Sequence, residues 1–285
     1  MIVNMLSTAM IILLMILAIL YINMFSHMAT NNKIGYTVVI LVMFYIVLVI
    51  KKQYDKYYEN HKLFLTEPHD ATKSVVISKN RLPRMNEGSE FSYVFWIFIK
   101  DWEYNYSKPK CVMYNGDKAG NQANPSIWLY PKENKLMVRF NTMKEGGVKS
   151  SMNPIKNTEN INTLSSYPVC DVDNIPLQRW VHVGVTMWNK TSDVYINGKL
   201  VRSCVLPEVP KMSNNNLYIT QYGGFNGKIS KVSVINKALN PNAIYNMYQK
   251  GPYHFNILKN LFGNISIDVS INSGDSEIIS GEVTV

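Results

Sequence analysis

At 285 residues the chain has room for one large domain or two domains of ordinary size. Its formal net charge of +9 comes from scattered lysines and arginines, and no nucleic-acid-binding motif accompanies them, so the charge predicts a solvated basic surface rather than a nucleic-acid partner. The three cysteines form no CxxC pair and have no histidine at zinc-finger spacing, which argues against a structural zinc site.

The first 50 residues carry two apolar runs. Residues 5–25 are long enough to cross the hydrocarbon core of a bilayer as a helix. Residues 34–50 form a slightly shorter run, and Lys51 and Lys52 behind it can reach the headgroup region. The pair predicts a two-helix membrane anchor in contact with the lipid bilayer. A cleaved signal peptide and a buried soluble helix are the alternatives, but no basic segment precedes the first run and nothing amphipathic flanks the second.

The lysines near the predicted anchor bear on which side of the membrane the rest of the chain occupies. Lys51, Lys52 and Lys56 follow the second run, whereas the loop between the runs contains only Lys33. This bias favours a cytosolic or interior domain. Three Asn-X-Ser/Thr triplets would be glycosylation acceptors only if the domain faced a lumen, so the sequence leaves the side open.

Beyond the anchor, the pattern changes from apolar runs to short strands. Residues 51–71 form a charged, tyrosine-rich stalk, and residues 72–251 contain short runs of β-branched and aromatic residues separated by turn formers. Many short strands without intervening helices predict an all-β fold of two antiparallel sheets. The one soluble helix predicted near the end covers 238–250, with Asn240 as its cap. Residues 252–285 form a tail, to which the sequence assigns either an edge strand or disorder.

Residues 179–202 have the clearest strand pattern in the chain. Alternate positions place these side chains on a core face: Val181, Val183, Val185 and Met187. The opposite face carries Trp180, His182, Thr186 and Trp188. We expect Trp180 and Trp188 to pack beneath a second sheet, and we interpret His182 as structural, because no nucleophile motif stands at a partner position.

Asn197 and Gly198 join the next two strands, and this pair tolerates the positive φ angles of a type I′ hairpin turn. The turn predicts the register Ile196 opposite Lys199, Tyr195 opposite Leu200, Val194 opposite Val201 and Asp193 opposite Arg202. Cys170 and Cys204 flank this region, so a disulfide would join them and leave Cys111 free. Three buried, reduced thiols fit a cytosolic compartment equally well.

Three motifs in order carry a family resemblance, and their most characteristic residues are Trp180, His182, Asn197, Gly198, Gly224 and Gly227. Together these motifs resemble the laminin G-like branch of the concanavalin A-like lectin/glucanase superfamily, over about residues 72–250. The resemblance implies a jelly-roll β-sandwich and marks these six residues as a fold signature. With its anchor and flanking cysteines, the chain is also similar to membrane and virion proteins of large DNA viruses, and this resemblance implies an integral membrane protein of a virion or a host-cell internal membrane.

Enzymatic activity is not expected, although the superfamily includes glucanases. Retaining hydrolysis needs two carboxylates about 5 to 5.5 Å apart, and no strand here carries the alternating acids that would place them. No cofactor is predicted. Asp171 and Asp173 are a weak calcium pair, because calcium takes six to eight oxygen ligands and two acids supply too few.

Binding is expected in the loops, particularly residues 102–110 and 144–175. We predict a contact surface formed by Trp102, Tyr104, Tyr106 and Lys108, because Trp102 lies among charged and tyrosine residues that suggest exposure. The other four tryptophans are expected in the core. The resulting hypothesis is a membrane-anchored, lectin-like domain that binds glycan or protein as a structural or attachment component of a large-virus particle. The alternatives are a membrane-tethered scaffold that docks a coat layer and a divergent glycosidase.

Overall fold

The computed structural model describes residues 41–53, 60–84, 90–120, 123–142, 170–211, 213–253, 266–273 and 276–284. The chain divides into two units, Met1–Asn60 and His61–Val285. In the first unit, residues 41–53 form helix α1, whose apolar side chains are largely exposed. The predicted membrane span 5–25 lies outside the described residues, as does the beginning of the span 34–50. Within the described ranges, no helix combines the length and the hydrophobicity needed to cross a bilayer.

Two antiparallel sheets make up most of the second unit, which confirms the predicted all-β sandwich. One sheet has seven strands: β1 (His61–Phe64), β2 (His69–Asp70), β4 (Phe91–Ile99), β9 (Trp180–Trp188), β10 (Thr191–Ile196), β11 (Lys199–Val205) and β13 (Gly227–Ile235). The other has six: β3 (Val75–Ile77), β5 (Lys110–Gly116), β6 (Ala123–Leu129), β7 (Lys135–Arg139), β8 (Val172–Asp173) and β12 (Leu217–Ile219). A separate hairpin joins β14 (Ser266–Ser273) to β15 (Ser276–Thr284).

Strand order places β4 and β9 in the middle of the seven-stranded sheet, in the sequence β1-β13-β4-β9-β10-β11, with β2 also pairing with β13. The six-stranded sheet runs β3-β12-β5-β6-β7-β8. Strands β8 and β11 are therefore edge strands. The short edge strand β3 pairs with β12.

The main hydrophobic core contains side chains from both sheets. The predicted core face of β9 is confirmed, because Val181, Val183, Val185 and Met187 are all buried in this cluster. Residues from β5, β6 and β7 join the same cluster: Val112, Met113, Ile127, Leu129, Leu136 and Val138. Burial of each such side chain stabilises the fold by about 1.5–3 kcal/mol relative to exposure.

The opposite face of the seven-stranded sheet packs against helix α2 (Pro241–Gln249). The helix begins as predicted, since the Asn240 side chain accepts a hydrogen bond from the backbone N–H of Ala243 at 2.8 Å. Its Ile244 is fully buried in a cluster with Val94 and Tyr195. The aromatic side of β9 thus faces a helix rather than the second sheet.

This arrangement corrects two predictions about tryptophan. Trp188 does not pack beneath the second sheet, and 64% of its surface is exposed, because it lies at the end of β9 beyond the reach of α2. Trp180 is partly exposed, and its indole N–H donates to the Tyr253 hydroxyl at 3.0 Å. Trp96 and Trp128 are buried, as expected.

The β10–β11 hairpin has the predicted turn but a different register. Asn197 and Gly198 have φ angles of 50° and 77°, as a type I′ turn requires, and the two pairs nearest the turn form as predicted. Beyond them the prediction is wrong, because Val194 lies opposite Arg202 and Asp193 lies opposite Ser203. Val201 is the extra residue of a β-bulge. Strand β11 is an edge strand, where no further neighbour opposes a bulge.

His182 packs tightly between aromatic rings. Its ring centroid lies 5.0 Å from that of Trp96 and 5.9 Å from that of Tyr248 on α2. Neither ring nitrogen has a hydrogen-bond partner among the described residues, and burial lowers the pKa of His182 to about 4. The geometry agrees with a structural role.

Acid is therefore expected to destabilise the fold through His182. Between the unfolded pKa of about 6.5 and the folded value of about 4, the unfolded chain binds more protons. The contribution of neutral His182 to the free energy of unfolding is present above pH 6.5, and the free energy of unfolding falls by up to about 3 kcal/mol as the pH drops through this window. Denaturant unfolding of wild type and H182F at pH 7 and pH 4.5 measures this difference. If both proteins lose stability equally, the buried imidazole is not the cause.

Candidate functional site

Two loops meet at one end of the sandwich, residues 100–109 between β4 and β5, and residues 220–226 between β12 and β13. We call this region the loop end. The backbone N–H of Lys100 donates to the Asn226 carbonyl at 2.9 Å, and the Asp101 carboxylate accepts from the Asn226 side chain. The Tyr104 hydroxyl donates to the Gly223 carbonyl at 3.1 Å. These bonds hold the two loops together.

The loop end contains all four residues predicted as a binding surface. Tyr106 has 60% of its surface exposed, and Lys108 is exposed beside it in the chain. Tyr104 is half-buried by its contact with the second loop. The prediction that Trp102 is exposed is wrong: its ring packs against the core, and the Lys110 ammonium lies 5.2 Å from the ring centroid.

The backbone of both loops adopts unusual conformations. Four residues other than glycine have φ angles in the left-handed region: Asn105 at 51°, Ser107 at 64°, Thr220 at 51° and Tyr222 at 56°. Each such conformation costs energy that the surrounding structure must offset, and residues of this kind cluster at functional sites. Hydrogen bonds from Thr220 N–H to the Val112 carbonyl at 3.0 Å and from Ser107 N–H to the Pro131 carbonyl at 3.2 Å hold the loops in place.

A row of stacked aromatic rings supports this end from the six-stranded sheet. Tyr218 stacks on Tyr114 at 5.0 Å between ring centroids, and Tyr114 stacks on Trp128 at 6.1 Å. Tyr222 stacks in turn on Trp128 at 6.0 Å and keeps 46% of its surface exposed. Burial raises the pKa of Tyr114, so its hydroxyl remains protonated. We call these four residues the aromatic row. It fixes the position of one exposed ring.

No sequence pattern indicated the aromatic row. Tyr114, Trp128 and Tyr218 come from three neighbouring strands, and all lie on the sheet face turned away from the main core. Tyr222 stands in a loop whose conformation has no sequence signature. The period-two pattern of each strand indicates which face a ring occupies, but the strand order that aligns the rings is a tertiary property.

A buried ion pair lies near β7, on the same face of the six-stranded sheet. The Arg139 guanidinium donates to both oxygens of the Asp171 carboxylate, with Nη2 at 3.0 Å from Oδ2. The Tyr130 hydroxyl donates to the same carboxylate at 2.5 Å, and the Val138 N–H donates to it at 3.2 Å. Asp171 therefore accepts four hydrogen bonds while buried.

The two acids of the predicted calcium pair lie in different surroundings. Asp171 is committed to Arg139, whereas Asp173 is exposed and pairs with Lys135 at 3.1 Å. The two side chains therefore have different partners in the structure. No group of three or more His, Cys, Asp or Glu residues in the described part of the chain is arranged to hold a metal ion.

The structure joins Cys170 and Cys204 in a disulfide, with a Cα–Cα distance of 5.9 Å, while Cys111 is a free, buried thiol. Cys204 belongs to β11, and Cys170 lies two residues before the start of β8. The bond thus connects the edge strands of the two sheets. It closes the side of the sandwich opposite β1 and β3.

The remaining signature residues act in the fold. A Cβ atom on Gly224 would lie 2.0 Å from the Ala71 carbonyl oxygen, and one on Gly227 would lie 1.9 Å from that of Phe98. Only glycine allows these close approaches. The Asn197 side chain accepts a hydrogen bond from the His182 N–H at 3.0 Å, which links the turn to β9.

A laminin G family model, described as the concanavalin A-like lectin/glucanases superfamily, matches residues 70–245. The chain belongs to this superfamily, as the motifs around Trp180 and Gly224 indicated.

Solved structures with a similar chain include a binding domain of botulinum neurotoxin DC in complex with SialylT. It is 16% identical over 68% of this chain and 47% of its own length, with a TM-score of 0.45. Another is domain 4 of AbnA, a GH43 extracellular arabinanase from Geobacillus stearothermophilus, in complex with arabinotriose. It is 16% identical over 64% of this chain and 75% of its own, with a TM-score of 0.42. The chain spans less than half the length of the toxin binding domain. No curated protein matches the chain in sequence.

Proposed function

We propose that this protein is a non-enzymatic, lectin-like domain that binds glycan at the loop end. The observation that carries the proposal is the exposed Tyr222 ring, which the aromatic row holds in a fixed position. Sugar rings present apolar C–H faces that pack on aromatic rings, while their hydroxyl groups need polar partners. Tyr106 and Lys108 add an exposed ring and a donor at the same end.

The absence of an enzymatic role is also part of the proposal. A glycosidase needs one carboxyl group as an acid and a second as a nucleophile or base, flanking the same bond. Three of the described acids instead have cationic partners: Asp171 with Arg139, Asp173 with Lys135, and Glu208 with Lys190. This pairing favours binding over hydrolysis.

The proposal includes a membrane anchor formed by residues 5–25 and 34–50. The apolar, exposed side chains of α1, such as Leu41, Phe44 and Ile50, support this role because they need an apolar environment. The Cys170–Cys204 disulfide favours an oxidising compartment and hence a lumenal or outer face, in spite of the lysine bias near the spans. The protein would then serve as an attachment component of a large-virus particle.

A glycan array probed with the full-length chain in detergent tests the loop end. We expect Y222A to weaken binding of any selected glycan by about tenfold, the effect of losing roughly 1.4 kcal/mol of stacking. Tyr245 is the matched control, because 45% of its surface is exposed and it belongs to helix α2, which packs against the other sheet. Y245A should bind normally. The absence of glycan binding by the wild type, or equal loss in both variants, would refute the proposal.

The second candidate is a membrane-tethered scaffold that docks a coat layer, and the net charge of +9 favours it. Such a domain would face the particle interior. Protease treatment of intact particles distinguishes the two candidates: cleavage without permeabilisation supports attachment, whereas protection supports the scaffold.

A further inference from the structure

One of the three Asn-X-Ser/Thr triplets occupies the turn between β9 and β10. Only Asn189 and Lys190 lie between the two strands, and Thr191, the first residue of β10, pairs with Trp188. Asn189 is exposed and has a φ angle of 53°, in the left-handed region that asparagine tolerates better than most residues. The triplet therefore stands on a tight surface turn, the kind of place in which N-glycosylation acceptors are found.

The side-chain amide of Asn189 takes no part in holding this turn. It forms no hydrogen bond within the described part of the chain. The contacts of the turn come from its other residue, since the Lys190 ammonium donates to the Pro207 carbonyl at 3.2 Å and pairs with the Glu208 carboxylate at 3.1 Å. The Lys190 carbonyl also accepts from the Leu206 N–H at 2.7 Å. A substituent on the Asn189 amide would leave all of these contacts in place.

The triplet at residues 105–107 has different surroundings. Asn105 is half-buried at the loop end, and a Cβ atom built on Gly223 of the second loop would lie 3.3 Å from its Nδ2. Because Nδ2 is the atom to which an N-linked glycan is attached, a glycan here would push the two loops apart. The fold thus accommodates a glycan at Asn189 and not at Asn105. The third triplet begins at Asn264, which lies outside the described residues.

The disulfide supplies a second observation, which does not depend on the triplet. Cys170 and Cys204 are joined in the structure, and disulfides persist in oxidising compartments such as the lumen of the endoplasmic reticulum. N-linked glycans belong to surface loops of proteins that enter the same lumen. Glycosylation therefore rests on the lumenal or outer face proposed above, and it does not rest on glycan binding at the loop end.

Two exposed apolar side chains flank the hydroxyl residue of the triplet. Thr191 pairs with Trp188 on one side and with Val205 on the other, and directly paired residues of an antiparallel sheet share a face. Both neighbours are exposed, and Val205 ends the edge strand β11. Exposed apolar edge strands favour pairing with other chains. A glycan on the adjacent Asn189 would cover this apolar surface.

We propose that Asn189 is an N-glycosylation site and that Asn105 is not. The donor is an oligosaccharide linked through its anomeric carbon to a lipid diphosphate, and a lumenal transferase catalyses the reaction. A bond forms between Asn189 Nδ2 and the anomeric carbon, and Nδ2 loses one proton. The bond from that carbon to the diphosphate oxygen breaks, and the lipid diphosphate leaves with the electron pair. The Thr191 hydroxyl completes the acceptor triplet.

Translation of the full-length chain with endoplasmic-reticulum microsomes tests the site. We expect peptide mass spectrometry of the wild type to find a glycan on Asn189, removable by PNGase F, and none on Asn105. N189Q should lose one glycan, seen as a mobility shift on a gel, whereas the matched control N105Q should keep it. T191A should also lose it, and T191S should retain it because serine preserves the hydroxyl group. Occupancy of Asn105, or an unchanged glycan pattern in N189Q, would overturn the proposal.

Alkylation of the same microsomes before reduction separates a failure of this site from a failure of the proposed outer face. A protected Cys170–Cys204 pair without a glycan on Asn189 would overturn the glycosylation site alone. Alkylated Cys170 and Cys204 together with an unmodified Asn189 would mean a cytosolic domain and would overturn both. The glycan array with Y222A tests the loop end separately, because that experiment does not involve Asn189.

Discussion

Replacing Asp171 with alanine is expected to lower the free energy of unfolding by about 3–5 kcal/mol. The Arg139 side chain is only 3% exposed, and its guanidinium would be left buried without a counter-charge. The Tyr130 hydroxyl and the Val138 N–H would also lose their acceptor. Breaking one half of a buried ion pair is costly because the remaining charge keeps its desolvation penalty. Denaturant unfolding followed by tryptophan fluorescence measures the change.

The adjacent acid supplies a matched control. Asp173 is 67% exposed and pairs with Lys135 at the surface, so D173A should change stability by no more than about 1 kcal/mol. Replacing both partners of the buried pair, as in R139M/D171L, should restore part of the stability lost in D171A, because no lone charge remains. Equal effects of D171A and D173A would show that burial does not distinguish the two carboxylates.

Removing the disulfide is the second change expected to have a large effect. Cys170 and Cys204 are separated by 34 residues. Closing a loop of this length lowers the conformational entropy of the unfolded chain and stabilises the fold by about 3–4 kcal/mol. The double variant C170S/C204S should lose about this much stability. The bond also holds the free edges of the two sheets together, so the loss should appear first near β8 and β11.

Reduction provides an independent test of the same bond. Dithiothreitol should destabilise the wild type to about the level of C170S/C204S and should not affect the double variant. Mass spectrometry of the native protein, alkylated before reduction, should find one modified cysteine, Cys111, after unfolding. Three modified cysteines would show that the thiols are reduced in the native protein. That result would also remove the main support for an oxidising compartment and would favour the scaffold.

Several features of the fold could be predicted from local sequence because they depend on residues close together in the chain. The alternation in β9, the Asn197–Gly198 turn and the Asn240 cap each involve fewer than ten neighbouring residues, and each has a direct steric or hydrogen-bonding cause. The register beyond the turn was wrong at Val194 because a bulge depends on whether the partner strand has another neighbour.

The tryptophans also show that local sequence does not determine which side chains are buried. Local composition suggested an exposed Trp102 and a buried Trp188, whereas in the structure Trp102 is partly buried against the core and Trp188 is exposed. Trp102 is partly covered because Lys110 and the core lie against it, whereas Trp188 is the last residue of β9 and stays exposed. Burial is set by the elements that pack against a residue, and short-range patterns contain little information about them.

By itself, the amino-acid sequence determined the strand pattern, the hairpin turn, the helix start and the superfamily, because glycine geometry and side-chain alternation act over short distances. Only the tertiary structure decided which side chains meet. The aromatic row combines Tyr114, Trp128, Tyr218 and Tyr222, and the buried ion pair combines Arg139 with Asp171. These groups come from strands and loops that are distant in the chain, and strand order brings them together because the two sheets must share one buried core.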